Sequence, residues 1–180
     1  MLELGMRSTS SFFTDAGSFG TGFGGQFRLK LAKRLNTEWF ADYLTTDLQG
    51  LARRVDGHIG WSVLFYPFSD KKVKGNFNPY LIAGHCFDYT KVTENGNSLN
   101  TGNRWSSAMQ LGLGCHYNLT DQLDLTLSSQ YMSHLGNDLH AEVEEIDGQK
   151  HINIHQDKQA GLEGHLLITV SLNVKIADLW

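Results

Sequence analysis

The C-terminal segment is the strongest constraint on what this chain can fold into. Leu166, Ile168, Val170, Leu172, Val174 and Ile176 recur at every second position, and Trp180 continues their parity. Thr169, Ser171, Asn173 and Lys175 lie between them. A period of two puts successive side chains on opposite faces of a β-strand, so this strand has one apolar and one polar face. No run of eighteen apolar residues occurs, which excludes a transmembrane helix. It does not exclude a transmembrane barrel, because half of each barrel strand faces a polar lumen.

The same alternation recurs upstream. Leu123, Leu125, Leu127 and Tyr131 oppose Asp124, Thr126, Ser128, Gln130 and His134. Trp105, Met109, Leu111, Leu113, Cys115 and Tyr117 oppose Arg104, Ser106, Gln110, Gly112, Gly114 and His116. Val55, Ile59, Trp61, Val63 and Phe65 oppose Asp56, His58, Gly60 and Ser62. Phe23, Phe27, Leu29 and Leu31 oppose Gly24, Gln26, Arg28 and Lys30, and Leu2, Leu4 and Met6 oppose Glu3, Gly5 and Arg7. Two segments are less regular. Over 36–48, Phe40 and Leu44 fall on the polar face, and 77–92 mixes both faces, for which a β-bulge is the expected cause. The sum is one all-β domain over 1–180: an eight-stranded antiparallel up-and-down transmembrane β-barrel.

Connector lengths alternate. Residues 32–36 and 118–122 are short and 68–76 moderate, whereas 13–22, 93–103 and 136–159 read as longer loops. Short turns at one end and long loops at the other fit an outer-membrane barrel with its termini on the periplasmic side. The chain opens on Met1, Leu2 and Glu3, so the signal peptide such a protein needs is expected to have been removed.

Alternation alone would also fit a soluble barrel with its apolar face inward. Three features favour the inverted arrangement. The polar face is mostly Ser, Thr, Gln, Gly and His, and only 19% of the chain is charged. The segments are longer than ordinary globular strands but suffice for a tilted membrane crossing. Aromatics mark the strand ends: Phe12, Phe23, Tyr43, Trp105 and Tyr131 at one, and Trp39, Phe65, Tyr117 and Trp180 at the other. Two such girdles match the two lipid–water interfaces. The expected surroundings are bacterial outer-membrane lipid and lipopolysaccharide. A net charge of −4 supplies no basic footprint for nucleic acid.

The run GLGCHYNLTDQLDLTLSSQYMSHLG (112–136) resembles the penultimate hairpin of OmpA/OmpW-type outer-membrane β-barrel domains. NPYLIAG (78–84) is similar to a Pro-Tyr-x-x-x-Gly found in their fifth strand, and Trp180 resembles their terminal aromatic assembly signal. The resemblance implies architecture and carries no activity with it. YMSHLGND (131–138) also resembles the His-x-Ser-Asn motif of the outer-membrane lipid A deacylases, but the nucleophile position is Gly136 and His134 has lumen parity. No Gly-x-Ser-x-Gly elbow replaces it, so no catalytic residue, enzyme activity or cofactor is expected.

Lumen parity gathers Glu3, Arg7, Arg28, Lys30, Glu38, Asp42, Arg104, Asp124, Glu163 and Lys175 into an expected charge network. Charges in so narrow a space need opposite partners, so the leading reading is a plugged lumen; a narrow solute or ion path is the alternative. His58, His116, His134 and His165 share that parity at depths the sequence leaves open and read as polar filler. Cys86 and Cys115 fall on expected neighbour strands and read as free thiols rather than a disulfide.

Asp147-Gly148 is a hairpin-turn signal, and its flanks alternate, so the last hairpin is expected to extend beyond the membrane as a ribbon. One face carries His140, Glu142, His151 and His155, a set that could ligate a divalent metal but fits a solvated face better. The other carries Val143, Ile152 and Ile154, with Ile146 beside the turn. These apolar side chains are expected to pack on other loops or to engage a protein partner in the outer membrane. The expected role is a structural or accessory component.

Overall fold

The computed structural model describes residues 1–13, 19–68, 77–146, 149–161 and 164–177. The strands are β1 (Leu2–Phe13), β2 (Phe19–Ala32), β3 (Leu35–Leu48), β4 (Ala52–Phe65) and β5 (Phe77–Glu94). They continue with β6 (Asn97–Asn118), β7 (Leu123–Ile146), β8 (Gln149–Gly161) and β9 (Gly164–Ala177). Sequence neighbours pair antiparallel from β1 round to β7, and β9 closes the ring against both β7 and β1. Closure leaves no edge, which lipid demands.

Nine strands make eight staves. Leu123–Ser133 of β7 pairs with β9, while Gly136–Ile146 pairs with β8. β8 and β9 thus run down one stave, the upper part forming the expected ribbon. At the other end lie Met1, Ala177 and the tight connections after β2 and β6. That end, which the sequence pattern expects to face the periplasm, is called the lower end.

Exposure settles which face is inside. Met6, Phe23, Trp105 and Leu111 are 69–78% exposed, whereas Arg7, Arg28, Asp42 and Asp124 are no more than 5% exposed. The apolar face therefore looks outward, as a lipid belt requires. Its aromatics associate along the surface: Phe27 stacks on Trp39, Trp39 packs at a tilt against Trp61, and Tyr89 packs on Trp105. Trp180 lies outside the described residues.

Two expectations need correction. Residues 77–92 contain no bulge: β4 and β5 stay in register from Ala52↔Glu94 to Phe65↔Leu81. The faces mix because the lumen takes apolar residues there, with Tyr80, Ile82, Cys86 and Val92 all pointing in and buried. Phe40 and Leu44 of β3 do the same. Nor is 93–103 a loop. β5 and β6 run on as a hairpin closed by Asn95-Gly96, where Gly96 has φ +83°, a conformation that suits glycine.

The cysteines are free, as expected. Cys86 points into the lumen opposite Ala108, whereas Cys115 lies opposite Pro79 with the parity of the outward Leu113 and Tyr117.

Candidate functional site

The lumen is stacked in levels. At the lower level, strand register fixes the chemistry: Glu3, Arg28 and Glu38 lie directly opposite one another across β1, β2 and β3. Arg28 donates to Glu3 at 2.6 Å and to Glu38 at 2.7 Å, with Asp124 at 3.9 Å. Arg7 stands 3.0 Å from Asp42 and 3.7 Å from Glu38, with its guanidinium 4.4 Å from the centre of the Phe40 ring. Two guanidiniums thus serve four carboxylates. Neutral groups complete the level: Gln26 donates to Asn173 and Ser171, and Asn173 donates to Asp124 and Thr126.

Below this, a vestibule of about 300 Å³ opens towards the lower end, lined in part by Lys30, Lys33, Tyr66, His116 and Lys175. Lys30 is exposed at this rim, and Lys175 donates to Asn118 at 3.0 Å. The two lysines therefore belong to the mouth more than to the lattice. Arg104 is buried in the lumen, as its parity implies, and Glu163 lies outside the described residues.

The middle level is apolar. Phe40, Leu44, Cys86, Ala108, Met132 and Leu167 form one buried cluster across the bore. Sequence parity alone concealed it, because each of these residues interrupts an otherwise polar face.

The upper level separates the four lumen histidines. His116 belongs below, bonded to Tyr66 and Thr126 and stacked on Tyr80. His58, His134 and His165 gather above the apolar layer around Asp88. Thr90 donates to both Asp88 and Asp56, and Arg54 donates to Asp56 at 3.0 Å. Asp88 was hidden in the segment whose faces did not resolve. Its alternation with Cys86 and Thr90 is the signal that could have found it.

Above the upper level the ribbon folds onto the barrel. Leu139 and Ile152 are 5% and 4% exposed and pack with Ala52 and Val92; Leu48, Leu51, Ala141 and Ile154 lie against them. Asn100 of β6 donates to the Ile152 carbonyl at 2.9 Å. Asn95 bonds the β3–β4 turn through Leu51 and Gly50. Of the expected ribbon residues, Ile152 and Ile154 therefore pack within the chain, and Val143 is 38% exposed. The side chains of Ile146 and His151 lie outside the described residues.

His140 and His155 are cross-strand partners with rings 5.7 Å apart, and Glu142 faces Asn153. Among the described residues, no group of three or more His, Cys, Asp or Glu is arranged to hold an ion.

Gly136, the residue at the nucleophile position of the deacylase-like motif, has φ +147°, which a serine would rarely adopt. His134 is fully buried in the lumen, away from lipid. On the outer face His85 Nε2 meets Ser107 Oγ at 2.6 Å, a pairing that satisfies two polar groups otherwise bare in hydrocarbon.

No protein-family model matches the chain, and no curated protein does. Solved structures do. Neisserial surface protein A is 14% identical, with a TM-score of 0.64 over 97% of each chain. A major outer membrane protein of Thermus thermophilus is 14% identical, with a TM-score of 0.63 over 97% of this chain and 99% of that one. The outer membrane protein OprG of Pseudomonas aeruginosa is 14% identical, with a TM-score of 0.54 over 98% and 95%. At this identity the likeness establishes the fold, and it spans the whole chain: that of small outer-membrane β-barrels, as the OmpA/OmpW-type resemblance implies.

Proposed function

We propose that this outer-membrane barrel is a non-enzymatic structural component, closed to solutes, that holds a ribbon at the cell exterior. One observation carries the reading: side chains cross the bore at every level, from the Arg28 lattice through the Phe40 layer to the Leu139–Ile152 cover. Eight staves enclose only enough space for side chains. Planar-bilayer recording tests it. The expected trace shows no sustained openings, and sustained single-channel steps would favour the small-solute or ion channel instead. The observation favouring that alternative is the vestibule with its Lys30 and Lys175 rim.

The non-enzymatic part rests on the lumenal burial of His134 and on Gly136 at the nucleophile position. Incubation with lipid A should leave every acyl chain in place by mass spectrometry. A protein partner of the outer membrane would meet Glu142, Val143 and Glu144, which are exposed, rather than Ile152. Co-purification in mild detergent checks this: substitutions on that strip should release the partner, and a protein that is always recovered as pure monomer would refute it.

A further inference from the structure

The outer wall has a gap in its upper aromatic girdle. Phe23, Tyr43, Gly57, Tyr89 and Trp105 are successive register partners across β2 to β6, so they form one row on the face turned to lipid. A row of aromatics marks the boundary between hydrocarbon and water. Gly57 interrupts it. A Cβ there would meet nothing nearer than the Tyr89 carbonyl at 3.9 Å, so an open notch lies between two tyrosines. Ile59, 62% exposed, continues the notch downwards.

Two cations stand above the notch. Arg53 of β4 and Lys91 of β5 are exposed on the same outer face. Register makes them diagonal neighbours, since Arg53 opposes Thr93 and Lys91 opposes Val55. Long side chains in that relation reach a common point. Neither makes an ion pair among the described residues. Asp47, the register partner of Arg53 on β3, accepts from the Gly50 amide of its own turn instead. Lys91 lies two residues above Tyr89, about 7 Å along the strand, and the headgroup layer adds about 5–8 Å to each side of the hydrocarbon. The cations therefore stand at headgroup depth.

Their surroundings make them a single spot. Among the described residues they are the only exposed basic side chains of the upper half, whereas Asp47, Glu142, Glu144 and Glu145 are exposed acids there. Gly25 is an equally open notch, but Met6, Ala41, Phe23 and Phe27 surround it on the outer face, and none is charged.

We propose that Arg53, Lys91 and the Gly57 notch form a docking site for one phosphorylated glycolipid of the outer leaflet, of the lipid A class. Arg53 and Lys91 hold a phosphate, and an acyl chain lies in the notch between Tyr43 and Tyr89. A phosphate monoester carries nearly two negative charges at neutral pH and so matches two cations, whereas a phospholipid diester carries one. The leaflet rests on the reading that the upper end faces the cell exterior.

The test is to refold the full chain in a non-ionic detergent, add diphosphorylated lipid A, and count the lipid retained on the folded barrel by native mass spectrometry. Wild type should retain about one lipid, and R53Q/K91Q roughly tenfold less. G57L fills the notch with both cations in place and should retain roughly threefold less. K30Q/K33Q removes the same charge from the lower end and should match wild type. Dephosphorylated lipid A should bind wild type and R53Q/K91Q alike. The proposal is overturned if R53Q/K91Q or G57L retains the wild-type amount, or if K30Q/K33Q loses as much as R53Q/K91Q. Displacement of lipid A by equimolar inorganic phosphate or phosphatidylglycerol would overturn it too. Micelles have no sides, so these results do not depend on which end faces outwards; labelling of intact cells with an antibody to the ribbon tests that reading by itself.

Discussion

Arg28 donates from Nη1 to Glu3 Oε2 at 2.6 Å, and the two residues are direct register partners across β2 and β1. On its other side Arg28 is the register partner of Glu38, which accepts at 2.7 Å. One guanidinium therefore ties three staves together inside the bore. Removing it strands two buried carboxylates, and breaking a buried pair from one side costs about 3–5 kcal/mol. R28M should lower stability by roughly that amount in urea unfolding followed by tryptophan fluorescence. R28M/E3Q/E38Q should recover much of the loss, because neutral partners leave no bare charge. A triple variant as unstable as R28M would show that the charges are not the cause.

Strand register explains how much of this was legible beforehand. Parity put Glu3, Arg28 and Glu38 on one face, so a network of lumen charges could be expected, but not which charges pair. The same logic placed Leu166 to Ile176 against lipid, and the structure keeps that assignment: Val170, Leu172, Val174 and Ile176 are 46–54% exposed. Parity failed where the lumen itself is apolar. Phe40, Leu44, Cys86 and Met132 obey the lumen rule by position and break it by chemistry, because a bore narrow enough to fill also accepts a hydrophobic layer. Height was the second blind spot. Alternation gives a face but no depth, so it could not show that His116 stands apart from His58, His134 and His165.

The apolar layer predicts a core-like response in a protein with no core in the usual sense. Leu44 is 1% exposed and packs within the Phe40–Met132 cluster, so L44A leaves a cavity that the closed ring cannot collapse. The expected loss is about 2–4 kcal/mol by urea titration. The outward Leu111, 69% exposed, gives the contrast. L111A loses contact with detergent or lipid chains but leaves no cavity, and it should cost clearly less. Equal losses at the two positions would contradict the burial pattern.

The cysteines test the inside-out assignment chemically. Cys86 and Cys115 sit on paired strands but seven positions out of register and on opposite faces, so no disulfide can join them. Migration on gels should be identical with and without reductant. A small maleimide should label Cys115 in folded protein and reach Cys86 only after denaturation, because Cys86 is fully buried. Mass spectrometry gives the count directly, and rapid labelling of both thiols in the folded barrel would refute the closed bore.

The ribbon should behave as a docked element rather than a free arm. A two-stranded ribbon alone is marginal in water. Here Leu139 and Ile152 anchor it to Ala52 and Val92, and Asn100 bonds the Ile152 carbonyl. A charge placed in that contact, as in I152D, would be buried without a partner unless the ribbon lifts away. The barrel below keeps its closure, since β9 pairs with β1 and lower β7 independently of β8. Trypsin added to the folded variant should therefore cut at Lys150 or Lys158 much faster than in wild type, while heat-modifiable migration persists. N153D is the control, because Asn153 is exposed and alternates to the face of the ribbon opposite Ile152. If both variants are cut at the wild-type rate, the Leu139–Ile152 contact does not hold the ribbon down.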